Sequence, residues 1–180
     1  MRQLIILILL VNFSCSEKPA GTELFEHELL SLEYPKSWSK SSEEGLILAV
    51  SKYSQLEVLK EEENPNIVVV AQDSLSLLGY DLNSFEDFLL GFKQNQLSKS
   101  NIKLEEDFKQ VNVNGNNLTS IKYKVETDNL TVLQTQYFYK CLGYYVSIML
   151  THEYGRPSSE LTTILNTLKI PEYQTLDELL

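Results

Sequence analysis

The chain has 180 residues, 43% of them apolar, and a net charge of −10 with a pI near 4.7. That length fits one domain, by the prior of roughly 100–200 residues per domain, and the apolar share is ample for a core. The acidic balance excludes the clustered basic surface that nucleic-acid binding needs, so no nucleic-acid partner is expected.

Met1-Arg2-Gln3 is a short basic start, followed by the apolar run Leu4-Ile5-Ile6-Leu7-Ile8-Leu9-Leu10-Val11. The run is shorter than the ~20 residues of a spanning helix and matches the core of a signal peptide. Asn12-Phe13-Ser14-Cys15-Ser16 then places a small residue directly before the first cysteine, which resembles the lipobox of bacterial lipoproteins. That resemblance implies that Cys15 becomes the lipidated N-terminal residue of a protein held on the bacterial cell envelope, outside the cytoplasm. Asn12 departs from the pattern, which usually has an aliphatic residue there. An ordinary secretory signal cut elsewhere, for example after Ala20, is the alternative. The expected organisation is a signal peptide over 1–14, a lipidated cysteine and polar tether over 15–23, one domain over 24–171 and a tail over 172–180.

Leu24 to Tyr34 alternates imperfectly as a strand and closes on Tyr34-Pro35-Lys36-Ser37-Trp38. Pro35 lacks a donor and holds its predecessor extended, so the strand should end there. Trp38, the single tryptophan, is expected to fold back over the core, with a ligand- or partner-facing role as the alternative. Leu46 to Tyr53 and Asn66 to Ala71 are short apolar runs of the kind buried on both faces of a sheet. Between them Glu61-Glu62-Glu63 reads as a solvated loop. A calcium site needs six to eight oxygens from a folded loop, so no metal is expected there.

Ser84-Phe85-Glu86-Asp87 opens a helix with a variant of the capping box, and Phe85, Phe88, Leu89 and Phe92 form an apolar stripe at helical spacing. Ile102 to Val113 begins a four-stranded meander. Asn114-Gly115 is its first reversal, because a type I′ turn needs φ > 0 twice. A second is expected as a three-residue loop at Thr127-Asp128-Asn129, and a third at Leu142-Gly143. The last turn sets Cys141 opposite Tyr144, Tyr139 opposite Val146, Tyr137 opposite Ile148, Thr135 opposite Leu150 and Leu133 opposite His152. The three-residue loop sets Tyr123 opposite Leu133 and Ile121 opposite Thr135, so that Ile121 and Tyr123 join this apolar face. A two-residue loop would set Lys124 opposite Leu133 and flip the faces. Phe138, Tyr145 and Met149 interrupt the other, more polar face. Arg156 to Leu168 then reads as a helix with Pro157 in its first turn and Leu161, Ile164, Leu165 and Leu168 as its stripe.

There is no Gly-x-Ser-x-Gly elbow, His-Glu-x-x-His, P-loop, dinucleotide fingerprint or Cys-x-x-Cys. Cys141 and His152 fall at opposite ends of one hairpin, about eight residue steps or roughly 26 Å apart, so they are not expected to act together. No catalytic residue, cofactor or metal ligand is therefore expected. The candidate interaction surface is Trp38 with Phe138 and Tyr145, provided no helix covers the latter two.

Tyr34-Pro35-x-x-Trp38 at the end of an early strand, an Asn-Gly turn after the first helix and a meander through Gly143-Tyr144-Tyr145 into a last short helix together resemble the PsbP-like superfamily. That superfamily includes the photosystem II extrinsic protein and DcrB-like envelope lipoproteins. The resemblance spans roughly 24–170 and implies an α+β fold. An antiparallel sheet, made of the four-stranded meander and two to three N-terminal strands, would be covered by helices as an α/β/α sandwich. It implies accessory or protein-binding members with no shared catalytic residues. The expectation is a membrane-tethered, non-enzymatic envelope lipoprotein with a protein partner; a secreted small-molecule or metal-binding module is the alternative.

Overall fold

The computed structural model describes residues 21–54, 64–74, 84–127 and 130–172. The expectations for the signal segment, Cys15, the acidic triplet, the turn residues Asp128-Asn129 and the chain end at 173–180 lie outside the described residues. In chain order the strands are β1 (Thr22–His27), β2 (Leu30–Pro35), β3 (Ser39–Ser41), β4 (Leu48–Ser51) and β5 (Asn66–Asp73), then β6 (Ile102–Val113), β7 (Asn116–Glu126), β8 (Thr131–Cys141) and β9 (Tyr144–Glu153). The helices are α1 (Phe85–Leu97), between β5 and β6, and α2 (Ser159–Leu165). Seven strands form one sheet in the order β3-β4-β5-β9-β8-β7-β6, every pair antiparallel, while β1 and β2 pair apart from it. The fold is α+β.

One face of the sheet carries the larger core. Leu48, Val50, Ile67, Val69, Leu118, Tyr139, Cys141, Val146, Ile148 and Leu150 point into it, and β2, Trp38 and α2 close it from above. Strand β2 and the connection after α2 are tied together at this layer: Ser31 and Lys169 exchange two backbone hydrogen bonds of 2.9 Å. The other face carries a smaller core of Ile121, Tyr123 and Phe138, covered by Leu89 and the phenylalanines of α1. The layers are thus α1, the sheet, and then the β1–β2 hairpin with α2.

Three sequence expectations need correction. The stretch from Leu24 to Tyr34 is two strands, with His27 paired to Leu30 across a reversal at Glu28-Leu29. The imperfect alternation was a change of phase: Leu30, Leu32 and Tyr34 keep one register, and the Leu29 N–H donates to His27 Nδ1 (3.2 Å) to hold the turn. The β1 strand accordingly starts at Thr22, two residues inside the stretch read as tether.

Second, the β7–β8 register is the one that a two-residue loop produces. Lys124 faces Leu133, Tyr123 faces Gln134 and Ile121 faces Gln136, with the Thr127 N–H donating to the Leu130 carbonyl at 2.9 Å. A slip of one residue exchanges every side chain between faces. Ile121 and Tyr123 therefore lie with Phe138 under α1, and Leu118 lies in the larger core. The β8–β9 register matches the expected pairs throughout. Third, Pro157 precedes the Ser158 N-cap of α2, and the helix ends at Leu165, so Leu168 packs from the connection beyond it.

Strand β6 shows how the sheet reconciles its two cores. Its apolar residues fall at Ile102, Leu104 and Phe108, then at Val111 and Val113, an even series followed by an odd one. Even positions face α1 and odd positions the larger core, as in any strand; the two irregularities, between Leu104 and Glu106 and between Glu106 and Lys109, together shift the pairing by two residues and so leave that alternation the same on either side of them. The first set faces α1 and the second faces the larger core. As an edge strand, β6 also gains from bulges and charged residues, which discourage pairing with another chain.

Candidate functional site

The face under α1 can be read as a grid, because antiparallel pairing sets side chains of four strands in rows. One row runs Val68, Met149, Gln136, Ile121; the next runs Val70, Ser147, Phe138, Thr119. On one side Gln72 faces Tyr145, and on the other Asn66, Thr151, Gln134 and Tyr123 align.

Helix α1 lies over the β6–β8 end of this grid. Its start is fixed locally, since Ser84 Oγ accepts from the Asp87 N–H (3.1 Å) and donates to the Asp87 carboxylate (2.9 Å). The register this imposes turns Phe85, Phe88 and Phe92 onto the sheet. Phe92 meets Phe138 edge-on with ring centres 5.0 Å apart, and Phe88 lies 4.9 Å from Tyr145. Phe85 lies 5.3 Å from Tyr145. Such pairs favour tilted and edge-to-face contacts and add to area burial.

The helix does not extend over β5 and the outer part of β9. A pocket of about 210 Å³ remains there, floored by Val68, Val70, Ser147 and Met149 and walled by Phe88, Phe92, Phe138 and Tyr145. Gln72 and Gln136 complete the lining. Val70 is 37% exposed and marks the opening. Gln136 is 5% exposed, and its Oε1 has no hydrogen-bond partner. Two further buried oxygens on this same face, Tyr123 Oη and Thr151 Oγ1, also lack partners. Buried polar groups are normally paired, so three orphans on one face set it apart from the rest of the core.

The three residues of the candidate interaction surface are all interior, Trp38 in the core position expected for it and Phe138 and Tyr145 because a helix covers them. Trp38 is 5%, Phe138 1% and Tyr145 6% exposed. Trp38 belongs to the larger core on the opposite face from Phe138, so the structure does not bring the three together. Phe138 and Tyr145 are covered because α1 supplies the aromatic stripe that seals them. They do meet in the pocket wall. Val68, Val70, Gln136 and Met149 were missed as site residues; the available signal was Gln136, the one polar residue in a row with Val68, Met149 and Ile121 once the two-residue loop is chosen.

Several titratable groups elsewhere are displaced from their ordinary ranges. Hydrogen bonds from Lys109 and then Lys122 hold the Glu106 carboxyl below its ordinary range. Lys93, at 2.6 Å, and the Phe108 N–H do the same for Asp107, as do Lys103 and Lys124 for Glu126. Burial pushes the phenols of Tyr34 and Tyr123 up to about 12, helped in turn by Glu23 and Asp107. Burial, then the charge of Glu28, raises the Cys141 thiol. His152 Nδ1 sits 2.8 Å from the Glu153 carbonyl, at the far end of the β8–β9 pair from Cys141. Among the described residues no three His, Cys, Asp or Glu side chains cluster as a metal would require. No described helix is long and apolar enough to cross a membrane.

No protein-family model and no curated protein sequence matches the chain. Among solved structures it is similar to a protein of Bacteroides thetaiotaomicron, with TM-score 0.49 and 13% identity, covering 85% of this chain and 49% of that one. It is also similar to PA94 of Pseudomonas aeruginosa, a protein of unknown function (TM-score 0.45, 17% identity, 74% of this chain and 83% of that one). A third is LpqN, involved in cell envelope biogenesis of Mycobacterium tuberculosis (TM-score 0.39, 12% identity, 84% of this chain and 81% of that one). The chain spans about half the length of the first of these, and all three are bacterial proteins.

Proposed function

We propose that this chain is a membrane-tethered, non-enzymatic envelope lipoprotein of the PsbP-like kind, serving as an accessory or protein-binding module outside the cytoplasm. The observation that carries the reading is Ser14-Cys15, two residues after a basic start and a short apolar run. One acyl chain alone holds a protein only marginally on a bilayer, whereas the two or three chains of a lipidated cysteine anchor it stably. The non-enzymatic part of the reading rests on a sequence without a recognisable catalytic motif, and the few groups with shifted pKa values are in keeping with it. A general acid at neutral pH needs a carboxyl raised towards 7, and a nucleophile needs a lowered thiol. Here the shifted carboxyls of Glu106, Asp107 and Glu126 go down and the Cys141 thiol goes up.

Intact mass of the protein from its native membrane tests the tether. The expected result is a diacyl or triacyl increment on Cys15 that disappears in Cys15→Ser. An unmodified form starting at another residue would remove the tether and leave a secreted module. Cross-linking in intact envelopes tests the accessory role; recovery of no reproducible partner would count against it.

A further inference from the structure

We infer that the pocket between α1 and the β5–β9 pair is a binding site for a small neutral molecule with an apolar ring and one hydroxyl group. The inference goes beyond the tether and stands whether or not Cys15 carries lipid. Size sets the first limit. The volume of about 210 Å³ lies above the ~150 Å³ of a dry cavity that takes benzene. It lies below the roughly 300–1,000 Å³ of sites for drug-sized ligands. One ring with one or two substituents fills it.

Charge sets the second limit. Among the described residues the lining contains no Asp, Glu, Lys, Arg or His. An ionised ligand would lose its hydration there with no opposite charge in return, so the ligand is neutral. Ring faces and edges of Phe88, Phe138 and Tyr145 offer the tilted contacts that an aromatic body prefers. The sulfur of Met149 on the floor adapts to such a ring as well.

The hydroxyl follows from Gln136. Its amide lines the pocket, is 5% exposed, and leaves Oε1 without a partner. A residue of that size in an otherwise apolar row, between Ile121 and Met149, weakens the core unless something pairs with it. The amide presents an acceptor at one end and donors at the other, and a half turn exchanges them. A hydroxyl donates and accepts, so it pairs with whichever end faces the ligand. Ser147 on the floor, half-buried, offers a second hydroxyl within the same row as Phe138.

The test is a methyl-NMR titration of the full-length protein with p-cresol and with p-xylene, which carries a methyl in place of the hydroxyl. Binding at the site shifts the methyl signals of Val68, Val70 and Met149 and leaves those of Ile67 and Ile148, on the opposite face, in place. The variant Gln136→Leu keeps the shape and removes the amide. The p-cresol to p-xylene affinity ratio is expected to fall by about tenfold in that variant, the worth of one hydrogen bond to a buried group. Taking the ratio cancels the difference in hydrophobicity between the probes. Val70→Phe, placed at the partly exposed opening, abolishes binding of both while the Ile67 and Ile148 signals report an intact fold. Three results would overturn the proposal: no shift of the Val68, Val70 and Met149 methyls at the solubility limit of either probe; an unchanged ratio in Gln136→Leu; or shifts confined to the opposite core.

Discussion

Leu142 occupies the first central position of the β8–β9 turn at φ 49°, followed by Gly143 at 81°. The equivalent turn between β6 and β7 uses Asn114 at φ 48° with Gly115 at 85°. Asparagine tolerates that region, whereas a leucine held there is strained, and at 44% exposure Leu142 gains little packing to offset it. Leu142→Asn should therefore raise stability by about 1 kcal/mol, seen as a higher urea midpoint at unchanged slope. A lower midpoint would show that the side chain contributes more than its exposure suggests. The buried tyrosines make a second residue-scale prediction. The phenols of Tyr34 and Tyr123 are pushed up to about 12, and that of Tyr139 is raised further by burial. A raised folded pKa contributes stability that is complete below the ordinary value near 10 and is lost as pH climbs through the folded values. Absorbance at 295 nm should show these tyrosines ionising in a cooperative step between about pH 10 and 12, together with loss of near-ultraviolet circular dichroism. Smooth ionisation of all ten tyrosines near pH 10 with dichroism intact would contradict their burial.

At the scale of elements, α1 decides whether the second face of the sheet is a core or a surface. Ser84→Ala removes the acceptor for the Asp87 N–H and should cost about 1 kcal/mol. Because the same helix seats Phe88 and Phe92, hydrogen exchange should accelerate first in α1, while β8 and β9 remain protected. Ser84→Asn, which keeps an acceptor, should restore the midpoint. Uniform acceleration across the sheet would mean that α1 and the larger core open as one unit. This helix was readable in advance: its cap and its phenylalanine spacing are local signals, and the structure places both where they were expected. The strand that it covers was not. The residues between Glu126 and Thr131 suit a two- or a three-residue reversal, and local turn chemistry does not distinguish them. Deciding the matter takes Phe138, which needs apolar partners on its own face; only the two-residue loop brings it Ile121 and Tyr123.

Across the whole molecule, lysine–carboxylate pairs join β6 to its neighbours: Lys93 on α1 to Asp107, Lys122 on β7 to Glu106 at 2.7 Å, and Lys103 to Glu126 at 2.9 Å. Each lowers the carboxyl pKa, so its contribution is present above the unfolded value near 4 and is lost as pH falls through the folded one. Lys122→Met should move acid unfolding to higher pH in low salt. The difference should shrink at high ionic strength, because exposed pairs are screened over a few ångströms. An equal shift at both salt concentrations would assign the effect to lost lysine packing instead.

The turns at Asn114-Gly115 and Leu142-Gly143 and the capped phenylalanine helix were legible in the chain, because each rests on backbone preferences within a few residues; the α+β class followed from the order of such elements and the family resemblance they carry. The lipobox-like start is a local signal too, read from the sequence alone. The β1–β2 reversal, the pairing of β7 with β8 and the burial of Phe138 and Tyr145 under α1 required the tertiary structure, whereas Trp38 folds back over the core as its place after Tyr34-Pro35 led one to expect. A strand's side chains repeat every two residues, so one uncertain loop residue exchanges the inside for the outside of an entire strand. The pocket at Gln136 is further still from local reading. It exists because α1 packs on β6 to β8 and the near part of β9 and leaves Val70 on β5 partly exposed, a matter of layer geometry that no single segment encodes.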